Sequence, residues 1–242
     1  MLPERGVRWL AETLVERVRD RYDAVVAITG PEGSSKSVLA AHLVEEIQDY
    51  SGVAWDWRNF TDRTRAIVAA YRRAPYPALG SLPNPTTVWF DESSRNLLGG
   101  DTMDPEQKVL IQVLFQGRIK GVILLLLIPD IQALAKKVRG RRAVFWVDVD
   151  KRGTDRKPAP SHAAVFERDT RRRFKPTTAL GLAESKRCPE LTFGPFAPTD
   201  PFWVAYDSRK HRDFDVTLDE LDLVLDRHET KTFGKLITRP KA

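Results

Sequence analysis

The sequence predicts a three-layer α/β fold, in which helices cover both faces of a mainly parallel sheet of five or more strands. Two observations support this prediction. Short apolar runs alternate with segments of helical periodicity over the first 150 residues, and the run Val122–Ile128 is apolar throughout, as in a buried strand. The 242 residues are 42% hydrophobic and 30% charged, so the chain is an ordinary globular protein with enough length to bury a core.

The predicted elements follow one another in a regular order. An amphipathic helix comes first, because Val7, Leu10, Leu14 and Val18 stand at helical spacing. Strands and helices then alternate, with a Pro-rich loop before the third strand. The predicted strands cover 24–29, 52–57, 86–90, 122–128 and 143–149, the predicted helices cover 36–48, 61–73, 105–116 and 131–138, and the loop covers 74–85.

The pattern changes after residue 150. The sequence becomes basic and Pro-containing, with a possible strand at 163–168, a second Pro-rich region at 188–201, and a helix that follows Thr217 and Glu220 in capping-box spacing. We therefore predict two parts, a core of residues 1–150 and a basic C-terminal extension of residues 151–242 that packs on or beside the core.

Several classes of protein are excluded by simple features. The single cysteine, Cys188, rules out an internal disulfide framework and a Cys-rich zinc site, and it fits a reducing cytoplasm. The longest apolar run is far shorter than the roughly 20 residues that a membrane-spanning helix needs. The N-terminal segment is charged from Glu4 onward, which does not fit a signal peptide. A cytoplasmic protein without a transmembrane segment is expected.

Positive charge is concentrated in one part of the chain. Between Lys136 and Lys175 there are 14 Lys or Arg against 5 Asp or Glu, although the net charge of the whole chain is only +6. Such a segment is expected where a protein touches a polyanion such as nucleic acid, and a solvated basic loop is the alternative. Phe166 and Phe174 are interleaved with these cations.

The segment that carries most chemical information is the turn after the first predicted strand. It matches the P-loop pattern G-x-x-x-x-G-K-[ST] except at one position, and it stands between a buried strand and a helix, where backbone N–H groups can surround phosphates. Lys36 would contact the β- and γ-phosphates, and Ser37 would coordinate Mg²⁺. A Gly/Ser turn that happens to precede Lys-Ser is the alternative. The predicted nucleotide-binding residues are Gly30, Pro31, Glu32, Gly33, Ser34, Ser35, Lys36, Ser37 and Val38.

Ser35 is the exception, because it stands where the second glycine of the pattern is usual. A Cβ atom is then present where the backbone wraps closely around phosphate, and a positive φ costs a residue other than glycine about 1 kcal/mol or more. Weaker nucleotide affinity is the expected consequence.

A second signal lies 55 residues after Lys36, where the apolar strand Val88-Trp89-Phe90 runs into Asp91 and Glu92. Asp91 can hold Mg²⁺ directly or through water, and Glu92 can orient and deprotonate the attacking water. A solvated Asp-Glu pair at a strand end is the alternative.

Together these segments resemble the P-loop ATPases that carry an additional strand between the phosphate-binding strand and the Asp-Glu strand. The sequence from Gln116 to Gly121, the apolar strand after it and the basic stretch up to Val147 are most similar to the FtsK–HerA DNA motors, viral genome-packaging ATPases and zonular-occludens-toxin-like phage proteins. The resemblance covers residues 24 to 150. It implies an ATPase that uses ATP and Mg²⁺, with Glu92 as catalytic base.

The resemblance also implies ring-shaped assemblies with active sites between protomers. Arg118 is the candidate arginine finger that would act on a neighbouring subunit's γ-phosphate, and a surface arginine at a helix C-terminus is the alternative. Arg139, Arg141 and Arg142 are second choices for a finger or for DNA contacts. In this group a polar residue commonly ends the fourth strand to sense the γ-phosphate, whereas here Ile128-Pro129-Asp130 stands there, and Gln132 follows.

The resulting prediction is an ATP-hydrolysing motor of phage, plasmid or mobile-element type that translocates or packages double-stranded DNA. Its partners would be DNA, further copies of itself in a ring, and capsid or membrane-associated proteins, and its location would be the host cytoplasm or the virion. Two other functions stay open. One is a nucleotide or small-molecule kinase, with the basic segment as a lid, and the other is a nucleotide-gated assembly or morphogenesis protein with little turnover.

Overall fold

A computed structural model of the chain describes residues 5–22, 24–54, 85–91, 121–134, 138–139, 142–150, 159–168, 185–187, 190–197 and 199–208. The contacts divide the chain into two compact units, Met1–Pro195 and Phe196–Ala242. The first unit contains the sheet, the phosphate loop and two long helices. The predictions for residues 55–84, 92–120 and 209–242 lie outside the described residues, including the helices at 61–73 and 105–116 and the helix after Thr217.

Two helices pack against each other in the first unit. Helix α1 (Val7–Arg19) buries the apolar face that its helical spacing predicts, and helix α2 (Lys36–Ser51) buries a similar face, including Leu39 and Leu43. Gly52 ends α2 in the left-handed conformation, with φ of 69°, and its N–H donates to the carbonyl of Gln48. Arg8 of α1 adds a hydrogen bond of 2.8 Å to Asp49 of α2.

The sheet has eight strands among the described residues. Following the chain, they are β1 (Arg5–Gly6), β2 (Ala24–Thr29), β3 (Thr86–Phe90), β4 (Val122–Leu127), β5 (Ala143–Asp150), β6 (Ser161–Arg168), β7 (Ser185–Arg187) and β8 (Leu191–Phe193). The order across the sheet is β1-β8-β6-β5-β2-β4-β3, and β7 also pairs with β6.

The centre of the sheet is parallel and largely buried. Strands β5, β2, β4 and β3 all run in the same direction, and every residue of β2 is buried. Such an apolar strand needs cover on both faces, which is why β2 and β4 read as continuous apolar runs and not as alternating ones. Strand β4 lies between β2 and β3, as expected for an additional strand between the phosphate-binding strand and the Asp91 strand. The chain thus has an α/β fold with the strand arrangement of a P-loop NTPase.

The other side of the sheet is antiparallel. Strand β6 runs antiparallel to β5 and also to β8, while β1 pairs with β8 in parallel. The predicted strand at 163–168 is confirmed and begins two residues earlier, whereas β1, β7 and β8 are not among the predicted strands. The predicted division at residue 150 falls between β5 and β6, two paired strands of one sheet. The basic extension of residues 151–242 stays a prediction, since many of its residues lie outside the described ones.

Two of the predicted elements differ from the structure. The predicted strand at 52–57 is not formed by residues 52–54, and its remaining residues lie outside the described ones. In place of a continuous helix at 131–138, a 3₁₀ turn covers Ile131–Ala133, and Leu134 is already extended. The side chain of Asp130 accepts a hydrogen bond from the N–H of Gln132 at 2.8 Å and so caps this turn.

The described part of the second unit is one short helix and the segment before it. Helix α3 (201–208) is capped by Asp200, whose carboxylate accepts hydrogen bonds from the N–H groups of Phe202 and Trp203. The rings of Phe196 and Trp203 stack with centroids 5.7 Å apart. Within the part of the chain that the structure describes, no helix has the length and apolar character that a membrane crossing requires.

Candidate functional site: the phosphate loop and the sheet edge around it

The predicted P-loop joins the carboxyl end of β2 to the N-terminus of α2. Three of its residues have positive φ angles: 143° at Gly30, 71° at Gly33 and 72° at Ser35. Successive turns of this kind point backbone N–H groups into one concavity, and the N-terminus of α2 adds its own free N–H groups. The loop therefore has the form of an anion site, as its sequence predicts.

Gly30 is the residue at which the loop leaves the sheet. A Cβ atom at this position would lie 2.6 Å from the carbonyl oxygen of Val149 on β5 and 2.6 Å from the hydroxyl oxygen of Ser34. The backbone N–H of Gly30 donates to the carbonyl of Pro129, which follows β4, at 3.3 Å. Only glycine fits here, because both its φ angle and the close approach of β5 exclude a side chain.

Ser35 takes the left-handed conformation that the loop requires, with φ of 72° and ψ of 26°. It stands at the N-cap position of α2, but its side chain makes no capping hydrogen bond there. Among the described residues, Arg21 at the end of α1 is the only other non-glycine residue with a positive φ. The strain expected from the sequence at this position is therefore present in the backbone.

Lys36 directs its ammonium group back over the loop. Its Nζ donates hydrogen bonds of 2.7 Å to the carbonyl of Gly30 and 2.8 Å to the carbonyl of Pro31. The charge is thus held above the concavity, on the side where the loop begins. Ser37 and Val38 follow in the first turn of α2 and are partly buried.

Ser34 contributes a buried hydroxyl group to the loop. The residue is 2% exposed, and no described group hydrogen-bonds its Oγ. An unsatisfied buried hydroxyl costs about 1–3 kcal/mol, which is uncommon in a folded protein. Together with the turned N–H groups and the Lys36 ammonium, it gives the loop a surplus of hydrogen-bond donors. The residues present therefore fit a phosphate group.

Asp91 lies at the same edge of the sheet as the phosphate loop. It directly follows β3, and the register pairs Phe90 with Leu126 of β4, which in turn pairs with Ala27 of β2. By this register Asp91 is level with Ile28, near the end of β2. It lies two strand spacings from β2, about 10 Å. Its side chain is 7% exposed, so the carboxylate is held by its surroundings. Its predicted partner Glu92 lies outside the described residues.

The segment between β4 and β5, which contains Gln132, also contains two buried arginines. Arg139 donates to the backbone carbonyl of Gln132 at 2.9 Å, and burial lowers the pKa of its guanidinium. Arg139 and Arg142 are each 7% exposed. The hydrogen bond of Arg139 fixes the turn that contains Gln132. The second-choice assignment of these arginines as arginine fingers or DNA contacts stays a prediction.

Several predicted features are not tested by the described residues. Arg118, Arg141 and most of the 14 cations between Lys136 and Lys175 lie outside them. Phe166, which the sequence interleaves with the cations, packs on Trp146 with ring centroids 5.3 Å apart. No group of three or more metal-ligating side chains occurs in the described ranges. The Mg²⁺ site at Ser37 and Asp91 stays a prediction.

Sequence reasoning missed three residues next to the loop. Thr29, the last residue of β2, donates its hydroxyl hydrogen to Asp148 on β5 at 2.7 Å and accepts a hydrogen bond of 2.7 Å from the indole of Trp146. The polar Thr29 at the end of an apolar strand, and the polar Asp148 within β5, were the available signals. Their partnership depends on the strand register, which the sequence does not show.

No protein-family profile matches the chain, and no curated protein matches it. Solved structures do match. The genome-packaging NTPase B204 of Sulfolobus turreted icosahedral virus 2, in complex with ATP-gammaS, is 13% identical over 60% of this chain and 92% of its own, with a TM-score of 0.42. The N-terminal domain of zonular occludens toxin from Neisseria meningitidis is 12% identical over 72% and 95%, with a TM-score of 0.46.

The DNA-packaging ATPase B204 of Sulfolobus turreted icosahedral virus is 11% identical over 72% of this chain and 98% of its own, with a TM-score of 0.44. Viral genome-packaging ATPases and zonular-occludens-toxin-like proteins are two of the groups that the sequence motifs resemble. The likeness is one of fold. On its own strand order and its own phosphate loop, the chain has the fold of a P-loop NTPase.

Proposed function

We propose that this chain is an ATP-hydrolysing motor that translocates or packages double-stranded DNA. The observation that carries the nucleotide part is the conformation of the loop from Gly30 to Ser37. Its positive φ angles, the Lys36 ammonium above it and the helix that starts directly after it together favour a bound polyphosphate. A solvated Gly/Ser turn would not need three left-handed residues.

The roles of the single residues follow from their places. Backbone N–H groups from Gly33 to Ser37 would hold the phosphates, and Lys36 would exchange its two loop carbonyls for phosphate oxygens. Bound Mg²⁺ would neutralise phosphate charge, with Ser37 and Asp91 as its protein ligands. Glu92, the residue after Asp91, would orient the attacking water and accept its proton.

The DNA part of the proposal rests on other support. The 14 cations between Lys136 and Lys175 suit contacts to a phosphate backbone without base recognition. The sequence resemblance to DNA motors points in the same direction. A ring of identical subunits, with Arg118 reaching the neighbouring γ-phosphate, is part of the same proposal.

One experiment tests both parts. We expect the wild-type protein to hydrolyse ATP in a Mg²⁺-dependent way and to do so faster when double-stranded DNA of arbitrary sequence is added. The Lys36→Ala variant should lose both activities and keep its thermal midpoint. ATP hydrolysis that is indifferent to DNA at low salt would contradict the motor. Equal hydrolysis by the wild-type protein and the folded Lys36→Ala variant would contradict the nucleotide site.

A second function is favoured by one observation. Ser35 holds a strained φ of 72° at a position where glycine is usual, which suits a loop that binds nucleotide without fast turnover. The protein would then be a nucleotide-gated assembly protein. Tight binding of ATP, a change in oligomer size on binding and no release of phosphate, with or without DNA, would support this second function. A rate that depends on a small phosphate acceptor would support the kinase.

The assembly is tested separately. The molecular mass in solution, measured by light scattering with ATP and Mg²⁺, should correspond to a ring of several chains. Mixing Arg118→Ala subunits with Lys36→Ala subunits should restore some ATPase activity, since each ring would contain sites with an intact loop on one side and an intact arginine on the other. A monomeric mass in all nucleotide states would contradict the ring.

A further inference from the structure

A chain of three hydrogen-bonded side chains lies directly beneath the phosphate loop. The indole Nε1 of Trp146 is 2.7 Å from the hydroxyl oxygen of Thr29, which is 2.7 Å from a carboxylate oxygen of Asp148. The direction of both bonds is fixed by chemistry. An indole N–H can only donate, so the hydroxyl of Thr29 accepts from it and must give its single hydrogen to Asp148.

The strand register creates this arrangement. Val25 pairs with Ala143, but Val26 pairs with Phe145, so β5 carries one extra residue at this point. The shift pairs Thr29 with Asp148, whereas an unshifted register would pair it with Val147. Since side chains alternate between the two faces of a strand, the extra residue also brings Trp146 to the same face as Thr29.

The loop also passes close to β5 at Gly30. Thr29 is the residue before Gly30, and a Cβ atom at Gly30 would lie 2.6 Å from the carbonyl oxygen of Val149, the residue after Asp148. Two successive residues of the loop's entry thus meet two successive residues of β5. Gly30 has a φ of 143° at this junction, where β5 leaves no room for a side chain. The first turn of the loop therefore depends on the position of β5.

We infer that Trp146, Thr29 and Asp148 form a positioning device that fixes the entry of the phosphate loop on β5 and so sets its affinity for nucleoside di- and triphosphates. This inference rests on the proposed nucleotide site and adds residues outside its motif. None of these three side chains would contact the nucleotide directly. They act through Gly30, by fixing the direction in which the loop leaves the sheet.

The Thr29 substitutions test the hydroxyl group. Thr29→Val keeps the shape of the side chain and removes the hydroxyl, whereas Thr29→Ser keeps it. Thr29→Val should raise the Kd for a fluorescent ADP analogue about 3- to 10-fold, and Thr29→Ser should stay within about twofold of wild type. Thr13→Val is the control. It removes a partly buried hydroxyl group that donates to the carbonyl of Trp9 within α1, outside the loop.

The Asp148 substitutions test the carboxylate at an exposed position, where a change rarely disturbs folding. Asp148→Ala should raise the Kd about as much as Thr29→Val. Asp150→Ala removes the same charge two residues further along the same face of β5, so it is the control for the loss of negative charge, which for an anionic ligand should tighten binding. Equal Kd values for Asp148→Ala and Asp150→Ala would overturn the inference.

Fluorine NMR of the protein containing 5-fluorotryptophan tests whether Trp146 responds to nucleotide binding. If the three side chains only stabilised the fold, the Trp146 resonance would not change when ADP binds. The Trp146 resonance, assigned by its loss in Trp146→Phe, should shift on addition of ADP, and Thr29→Val should abolish the shift. A Trp146 resonance that ADP leaves unmoved in the wild-type protein overturns the inference. If the Lys36→Ala variant binds ADP as well as wild type does, the proposed nucleotide site itself fails, which is a different result.

Discussion

Replacing Ser35 by glycine should tighten nucleotide binding. Ser35 has φ of 72° and ψ of 26°, and for a residue with a Cβ atom this left-handed region costs about 1–2 kcal/mol. Glycine populates it without that cost, but it also adds about 0.4–1 kcal/mol of conformational entropy to the flexible or unfolded chain. The net gain is up to about 1 kcal/mol, which corresponds to about fivefold in Kd.

The assay is a calorimetric titration of both proteins with a non-hydrolysable ATP analogue in the presence of Mg²⁺. Urea unfolding of the same samples shows whether part of the gain appears as stability of the folded protein and not as affinity. The gain in binding free energy and the gain in the free energy of unfolding together should not exceed the backbone strain that glycine relieves. A gain in stability with an unchanged Kd would mean that the loop has the same left-handed turn in the nucleotide-free and the nucleotide-bound protein.

Two matched variants separate the backbone effect from the hydroxyl group. Gly33 has φ of 71°, and a Cβ atom added there would meet nothing within 4 Å, so Gly33→Ala introduces the backbone cost alone. It should weaken binding by about as much as Ser35→Gly strengthens it. Ser35→Ala keeps the Cβ atom and should bind like wild type. Weaker binding by both Ser35→Gly and Ser35→Ala would refute the reasoning and make the hydroxyl a working part of the site.

Three further predictions concern other residues. Lys36→Ala should abolish nucleotide binding in the same titration without a change in the unfolding midpoint, because its ammonium donates to two carbonyls of the loop itself. Glu92→Gln should still bind ATP and Mg²⁺ but turn over about 10²-fold more slowly in a phosphate-release assay, and Asp91→Ala should also lose the Mg²⁺-dependent part of binding. The hydrogen bond from Tyr50, and then that from Arg19, lower the pKa of Glu16. This contribution to stability is present above the unfolded value of 4.5 and is lost as the pH falls through the lower folded value. Tyr50→Phe should therefore reduce the free energy of unfolding slightly at pH 7, and by less as the pH falls below 4.5, as measured by urea denaturation.

The parts of the site that were predictable from the sequence are those with local causes. The apolar run of β2, the glycines after it and the Lys-Ser pair at the start of α2 specify a strand, a turn and a helix within 30 residues. The left-handed conformation at Ser35 was also predictable, because the position requires it whichever residue stands there. Asp91 was found because a charged residue follows an apolar strand.

The parts that were missed depend on contacts between distant segments. Strands β1 and β8 have two and three residues, too few to show an alternation in the sequence. The bond between Thr29 and Asp148 requires the extra residue in β5, and nothing in the local sequence marks that shift. The burial of Arg139 and its bond to the carbonyl of Gln132 were not predictable either, because they depend on how the segment after β4 turns.

The pairing of β1 with β8 has a consequence for how the protein is made. Arg5 lies beside Leu191, so one edge of the sheet joins the first residues of the chain to nearly the last residues of the first unit. During synthesis on the ribosome, β1 can pair with β8 only after almost the whole first unit has been made. Contacts between such distant segments form late and slow folding. Strands β2, β4 and β5, whose ends surround the phosphate loop, are all synthesised before β8, so nascent chains should acquire the parallel centre of the sheet and the phosphate loop before this edge closes.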